Sequence, residues 1–456
     1  MRKSIAVSRK SWLDYRAVWR WHFYAGLFCI PFIVLLAITG SMYLFKPQVE
    51  AWLDHDYDRL ALTGRPASAE AQVKAALVAV QGATLQAYEM PQAPDAAPRV
   101  IVTRHTDQIR VYVHPETLQI LSVIDEQDRL MNIIFKIHGE LLLGNIGSAI
   151  VEMAASWTII MLVTGLYLWW PRQGRGLAGV VYPRLDGRTR LFWRDLHAVT
   201  GVWISSLALF LLLTGLPWAK VWGEYFTEVR RLTGTAVAEQ DWPVGAARPD
   251  NTHAVSAGHM GHSSTSEGHP GAAEIPSDYS AIDRLVEIVR PLNLAPPVLI
   301  SPPAKGASTW TAKSDAQNRL LRVNLVLDGT TGAILTREDF KDRHVLDRIV
   351  AVGVAAHEGQ LFGWPNQVLG LVTAGGLLLL VASAVTMWWR RRPHGVLGAP
   401  QALEHPRRSL GLSVILLLFG LYLPLFTASL IVVLLVERFI LRRIPGTRIW
   451  LGLNRS

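Results

Sequence analysis

The sequence predicts an α-helical membrane protein with two small α+β lobes outside the bilayer, built as a span–lobe–span unit that occurs twice and is followed by a C-terminal apolar segment. Three observations predict it. Half of the 456 residues are hydrophobic, the mean hydropathy is +0.24, and the apolar residues come in blocks long enough to cross a bilayer core of about 30 Å. The blocks alternate with polar stretches flanked asymmetrically by Arg and Lys, the pattern that orients spans with their basic side in the cytoplasm. Four histidines, finally, recur at matched offsets. His22 and His197 each have Gly at plus four (Gly26, Gly201) and Thr-Gly at plus seventeen and eighteen (Thr39-Gly40, Thr214-Gly215). His138 and His357 each have Gly at plus six and Trp-Trp at plus thirty-one and thirty-two (Trp169-Trp170, Trp388-Trp389).

In chain order, residues 1–22 form a basic cytoplasmic N-terminus and 23–46 a first span, too long for a cleaved secretory signal. Residues 47–134 read as a first lobe. Ala69–Val80 has helical spacing behind a possible N-cap at Ser68, and Arg99–Thr103, Gln108–His114 and Leu118–Ile124 alternate like strands. Residues 135–170 hold a helix at the outer interface and the second span. A continuous helix from His138 to Trp169 would run about 46 Å, too long for the core, so a break is expected near Gly144–Gly147. A basic loop at 171–192 and a third span at 193–218 follow. The second lobe, 219–348, contains a helix-like Tyr279–Val289 and the strands Arg319–Leu327 and Ala333–Thr336. Residues 349–389 form a second interface helix and the fourth span, with the break expected at Gly363-Trp364-Pro365. After a basic loop at 390–408, residues 409–437 are either one tilted span or a hairpin bent at Pro424. The hairpin is preferred because it keeps the basic tail, 438–456, inside.

The formal charge of +9 therefore reflects topology and anionic lipid and not nucleic acid. One cysteine, Cys29, excludes intrachain disulfides, Cys-based zinc or iron–sulfur sites and a covalently attached c-type haem.

A histidine within a span marks a functional site by default, the alternative being one satisfied by a carbonyl or water near the interface. Depth decides the partners. His22 and His197 open outward-going spans and lie near the inner face, while His138 and His357 precede inward-going spans and lie near the outer face. The expected pairs are His22 with His197 and His138 with His357. Two histidines facing across a bundle suit the axial positions of a haem iron better than a zinc site, which takes four ligands or three with a water. Two non-covalent haem b groups are thus expected, with Gly26 and Gly201 letting backbone approach a flat macrocycle and Arg20, Arg194 and Lys136 placed for propionates, or simply snorkelling. Glu152, the one acid well inside a span, has Leu371 as its counterpart. It could serve a proton route or pair with a neighbouring helix. The Gly/Ser/His-rich loop at 253–269 includes His259, Met260 and His262, a set able to bind Cu or Ni, or a spacer with incidental histidines.

At these residues the chain resembles the PepSY-associated transmembrane family. The resemblance rests on Trp19-Arg-Trp-His22-Phe-Tyr-Ala-Gly26, His138-Gly-Glu-Leu-Leu-Leu-Gly144 and Thr164-Gly165-Leu-Tyr-Leu-Trp-Trp-Pro-Arg172. Val111–Ile120 and Asn324–Ala333 resemble the strand–turn–strand ends of PepSY lobes. The resemblance implies an iron-regulated protein of the bacterial inner membrane with periplasmic lobes, similar to ferrisiderophore reductases with two b haems. It implies reduction of Fe(III) in an external chelate or siderophore. No G-x-G-x-x-G follows a strand, so the electron donor would be a partner protein, a soluble reductant or a quinol. The competing expectation is a non-enzymatic regulator, its lobes binding a peptidase or envelope partner.

Overall fold

The computed structural model describes residues 15–171, 177–184, 189–235, 279–304, 307–400 and 410–453. The loop histidines His253, His259, His262 and His269, with Met260 and His405, lie outside the described residues.

Helix α1 runs Tyr15–Tyr43, starting ahead of residue 23 because Tyr15–His22 contains no Gly or Pro to stop it. A short α2 (Lys46–Leu53) follows. Then comes α3 (Ala69–Ala79), capped by Ser68 Oγ, which accepts from the Ala71 N–H at 3.2 Å. Four strands come next, β1 (Thr84–Glu89), β2 (Arg99–Arg104), β3 (Asp107–Val113) and β4 (Ile120–Asp125). Helix α4 (Leu130–Glu140) carries His138 and stops where Leu141 and Leu142 take left-handed backbone. Helix α5 (Gly144–Trp169) begins beyond that break. Gly147 permits the close turn: a Cβ there would lie 1.6 Å from the Glu140 carbonyl oxygen.

The second run repeats the order of elements. After α6 (Thr189–Gly215) and α7 (Lys220–Leu232) come α8 (Ala281–Val289), β5 (Val298–Ser301), β6 (Thr309–Ser314), β7 (Val323–Asp328) and β8 (Ile334–Asp339). Helix α9 (Val345–His357) ends on its histidine, and α10 (Trp364–Arg391) starts after Gly363 with Pro365 in its first turn. Arg319–Leu321, expected as strand, is instead one turn of 3-10 helix.

Helices α1, α5, α6 and α10 form a four-helix bundle in which α1 touches α5 and α10, and α6 touches the same two. Thus α1 and α6 face each other diagonally. Among the described residues five helices are long and apolar enough to cross a membrane: these four and Pro424–Leu441. Apolar side chains exposed on the bundle, such as Val372 and Ile38, suit contact with lipid tails.

The strands depart from the expected pair of separate lobes. They form one eight-stranded antiparallel sheet in the order β4-β3-β2-β1-β5-β6-β7-β8. The two quartets join where Tyr88 pairs with Ile300 and Glu89 with Leu299. Without that junction β1 and β5 would each present an unpaired edge, so pairing removes two edges at once. Helices α3 and α8 cover one face, burying Val73, Val100, Leu285, Ile300 and Leu325 in a common core.

The C-terminal apolar stretch is broken into α11 (Leu410–Tyr422) and α12 (Pro424–Val436). A Cβ on Gly420 would lie 2.6 Å from Thr427 Oγ1, although seven residues of straight helix rise about 10 Å. The chain therefore doubles back at Leu423-Pro424. The final helix, α13 (Pro445–Trp450), returns to the end of the bundle where α1 begins. There Arg20 Nη1 donates to the carbonyls of Pro400 (2.6 Å) and Gly452 (2.9 Å), and the Tyr24 hydroxyl donates to Leu451.

Candidate functional site

The four repeated histidines meet as two pairs. His22 of α1 faces His197 of α6 with ring centres 6.5 Å apart and planes at 80°. His138 of α4 faces His357 of α9 at 6.5 Å and 84°. The second pair lies at the sheet side of the bundle. Since His138 contacts Thr39, seventeen residues along α1 from His22, the pairs are about 25 Å apart along the helix at 1.5 Å per residue.

Hydrogen bonds fix how each ring is turned. Nδ1 of His22 lies 3.2 Å from Thr164 Oγ1 and 3.1 Å from the Met161 carbonyl. Nδ1 of His197 lies 3.0 Å from Ser383 Oγ and 3.1 Å from the Leu380 carbonyl. His138 Nδ1 meets Thr39 Oγ1 at 2.9 Å, and His357 Nδ1 meets Thr214 Oγ1 at 3.1 Å. Each of these hydroxyls already spends its proton on a carbonyl of its own helix: Thr39 on Leu35, Thr164 on Ile160, Thr214 on Phe210 and Ser383 on Leu380. Toward histidine they can only accept. Every ring therefore carries its proton on Nδ1, and Nε2 presents a lone pair. Within each half the support crosses between helices, α1 resting His22 on α5 and receiving His138 of α4, and α6 resting His197 on α10 and receiving His357 of α9, while the pairs themselves join the two halves.

Glycines make room for three of the rings. A Cβ on Gly165 would come within 3.1 Å of His22 Cε1, one on Gly40 within 3.2 Å of His138 Cε1, and one on Gly215 within 3.3 Å of His357 Cε1. The glycines singled out from the sequence lie elsewhere: Gly26 faces Met161 and Gly201 faces Leu380, each with ordinary spacing.

These donors fit a bis-histidine haem iron. Two metal–imidazole bonds of about 2.0–2.1 Å, with each ring centre about 1.1 Å beyond its nitrogen, put the centres about 6.3 Å apart, close to the observed 6.5 Å in both pairs. Second hydrogen bonds from Nδ1–H are the usual means of orienting a metal-bound imidazole. Among the described residues no group of three or more His, Cys, Asp or Glu side chains could share an ion, so each pair offers two ligands, not the three or four of zinc.

The remaining candidates have other partners. Arg20 holds the C-terminal segment as described. Arg194 Nη2 pairs with Asp195 at 2.7 Å, and Lys136 Nζ donates to Gln127 at 3.3 Å. Glu152 caps a neighbouring helix. Its Oε2 accepts from the N–H groups of Val221 (2.9 Å) and Trp222 (3.1 Å) while Ser148 Oγ, one turn earlier, accepts from Lys220 N–H at 3.2 Å. The first three N–H groups of α7 are thus satisfied by side chains of α5. Glu152→Ala should leave the buried Trp222 N–H and the part-buried Val221 N–H unmet, at about 1–3 kcal/mol for the buried one, lowering the thermal unfolding midpoint. Glu152→Gln, which keeps an accepting oxygen, should recover most of the loss. A fully stable alanine variant would rule out the capping role. The paired tryptophans anchor the loops beyond their spans: Trp169 Nε1 donates to Val180 O (3.0 Å) and Trp388 Nε1 to Leu397 O (2.8 Å).

Five candidate spans, an antiparallel sheet beside them and two histidine pairs between the helices define a multi-pass membrane protein with an attached sheet domain. The chain belongs to the PepSY-associated transmembrane family, whose PepSY-associated TM region profile matches residues 19–391 and so takes in all four histidines. No curated protein matches the chain.

Proposed function

We propose that the chain is a di-haem b electron-transfer protein of the bacterial inner membrane that reduces Fe(III) in a periplasmic chelate or siderophore. The observation that carries this reading is the double occurrence of two histidines facing each other at 6.5 Å, each with Nδ1 turned to a helix hydroxyl. Haem b held by two protein nitrogens supplies one-electron exchange and leaves no position open for substrate. His22 and His197 would hold one group, His138 and His357 the other. About 25 Å between the pairs covers most of the hydrocarbon core. The basic residues at the α1 end, among them Arg190, Arg390, Arg391, Arg442 and Arg448, support a cytoplasmic placement of that end. The sheet, as a duplicated PepSY-like unit, would then be periplasmic.

The hydroxyls keep each imidazole in the ligating tautomer. Thr39→Val keeps the volume but leaves the His138 Nδ1–H without its acceptor, and should weaken retention of the sheet-side haem by about 10–100-fold. Titration of haem-depleted protein would read this, with the His22–His197 group as internal control. Equal retention in both sites would remove the argument from tautomer.

The decisive measurement is a visible spectrum of the purified protein, oxidised and reduced, with haem quantified per chain. Two low-spin b haems per chain, reoxidised on mixing the reduced protein with a ferric siderophore, are expected. Absence of haem absorbance would end this reading and leave the sheet as a partner-binding domain anchored by its helices.

A further inference from the structure

Between the bundle and the sheet lies a cavity of about 230 Å³. Its bundle wall is aromatic. Tyr43, at the end of α1, packs on Phe135 of α4 with ring centres 5.8 Å apart, and Trp218 meets the His357 ring edge-on at 5.8 Å. The opposite wall is polar, with Lys46, Gln317, Arg319 and Arg322 as donors and Asp315 and Glu358 as acceptors. Arg319 lies over the Trp218 ring at 5.9 Å, and its Nη2 is 3.9 Å from Glu358 Oε1. Arg322 Nη2 is 3.1 Å from Asp315, and Lys46 reaches Glu50 at 2.7 Å.

The wall is richer in donors than in acceptors. Its two Arg, one Lys and one Gln bring about fifteen N–H bonds, against two carboxylates and an amide oxygen. One donor has nothing to bind: Gln317 Nε2 is buried and has no hydrogen-bond partner among the described residues. A buried unmet donor costs free energy until an acceptor arrives. Arg and Lys beside it favour an anionic acceptor, and a planar carboxylate matches the guanidinium fork. The volume falls below the about 300–1,000 Å³ of a site for a drug-sized ligand. It admits a small anion whole, or one arm of a larger ligand.

We infer that this cavity is a carboxylate-binding site, one aromatic ring away from the sheet-side histidine pair. The carboxylate has two possible sources. It is either a propionate of the group held by His138 and His357, which rests on the function proposed above, or a carboxylate of an external ferric chelate. The position beside Trp218 suits either, since both must approach the outer end of the electron route.

The test uses the full-length, haem-loaded protein in detergent, with the variants Arg319→Gln and Gln317→Leu. Gln317→Leu breaks no ion pair, so it remains informative if Arg319→Gln folds poorly. Citrate is titrated calorimetrically, and both haem midpoint potentials are measured. If the carboxylate is a propionate, wild type does not bind citrate. Removing the Arg319 charge then favours the oxidised form of one haem at least tenfold, which for a one-electron couple is 59 mV downward, and Gln317→Leu shifts the same haem in the same direction. If the carboxylate is external, citrate binds wild type, each variant weakens it at least tenfold, and neither potential moves. Wild type that binds no citrate, with potentials unchanged in both variants, would overturn the site. Should the protein lack haem altogether, the proposed function fails while the cavity is still judged by citrate binding, whose absence from that protein would overturn it too.

Discussion

With haem held as proposed, replacing His138 by alanine is expected to remove about half of the haem absorbance of the purified protein, and His22→Ala the other half. The double variant should be colourless. The expectation follows from geometry. Each pair draws its histidines from the two different halves of the chain, no third histidine ring among the described residues contacts either pair, and loss of one nitrogen would leave a haem held there with a single protein ligand. The partner ring keeps its tautomer, because Thr214 still accepts from His357 and Ser383 from His197. Any haem the residual site retained would have one protein nitrogen and should change from a low-spin to a high-spin spectrum. His55, exposed and beside Asp56, provides the control, and His55→Ala should leave the spectrum untouched. Full low-spin absorbance from His138→Ala would show that the pair does not ligate.

The histidine pairing was legible because spacing and topology constrain it together: offsets identified the repeat, and alternate span directions put like members at like depth. The supporting hydroxyls were harder to see. Thr39 and Thr214 stood out only as marks near span ends, since a Thr in a membrane helix ordinarily satisfies itself on a carbonyl one turn back. These residues do that as well and still accept from histidine. Ser383 was missed for a second reason. It stands at plus twenty-six from His357, as Thr164 does from His138, but the copies differ there, Ser383-Ala384 against Thr164-Gly165. A search for identical residues passes over a position that repeats only in its chemistry.

The helix breaks before α5 and α10 followed from length alone. The single sheet did not. Whether β1 finds β5 depends on pairing between residues some two hundred positions apart, and neither strand carries a register signal for the other. β5 and β6 are short and follow Pro296-Pro297 and Gly306, residues that read as loop punctuation. The cavity above gathers Tyr43, Phe135, Trp218 and the connection between β6 and β7, segments far apart in the chain, so no local pattern announces it.

Asp347→Ala is the substitution expected to cost most stability without touching a histidine. Asp347, in the first turn of α9, forms a two-pronged ion pair with Arg230 of α7, at 2.7 Å and 3.0 Å. Arg230 is 1% exposed and also donates to the Thr235 carbonyl. Removing the aspartate leaves a buried guanidinium without its counter-charge, a loss of about 3–5 kcal/mol. Such a buried pair is not required for stability in itself, so the double variant Arg230→Ala/Asp347→Ala should be less damaged than the sum of the two singles. The effect has a direction in space, because α9 carries His357 at its far end. On heating Asp347→Ala, any haem held at the sheet-side pair should be released before one held by His22 and His197, whereas Arg129, just ahead of α4, meets Glu50, Asp54 and Glu126 only at 3.4–3.8 Å and should give a smaller effect when replaced. Simultaneous release of both haems would mean that the pair stabilises the whole bundle and does not act through α9.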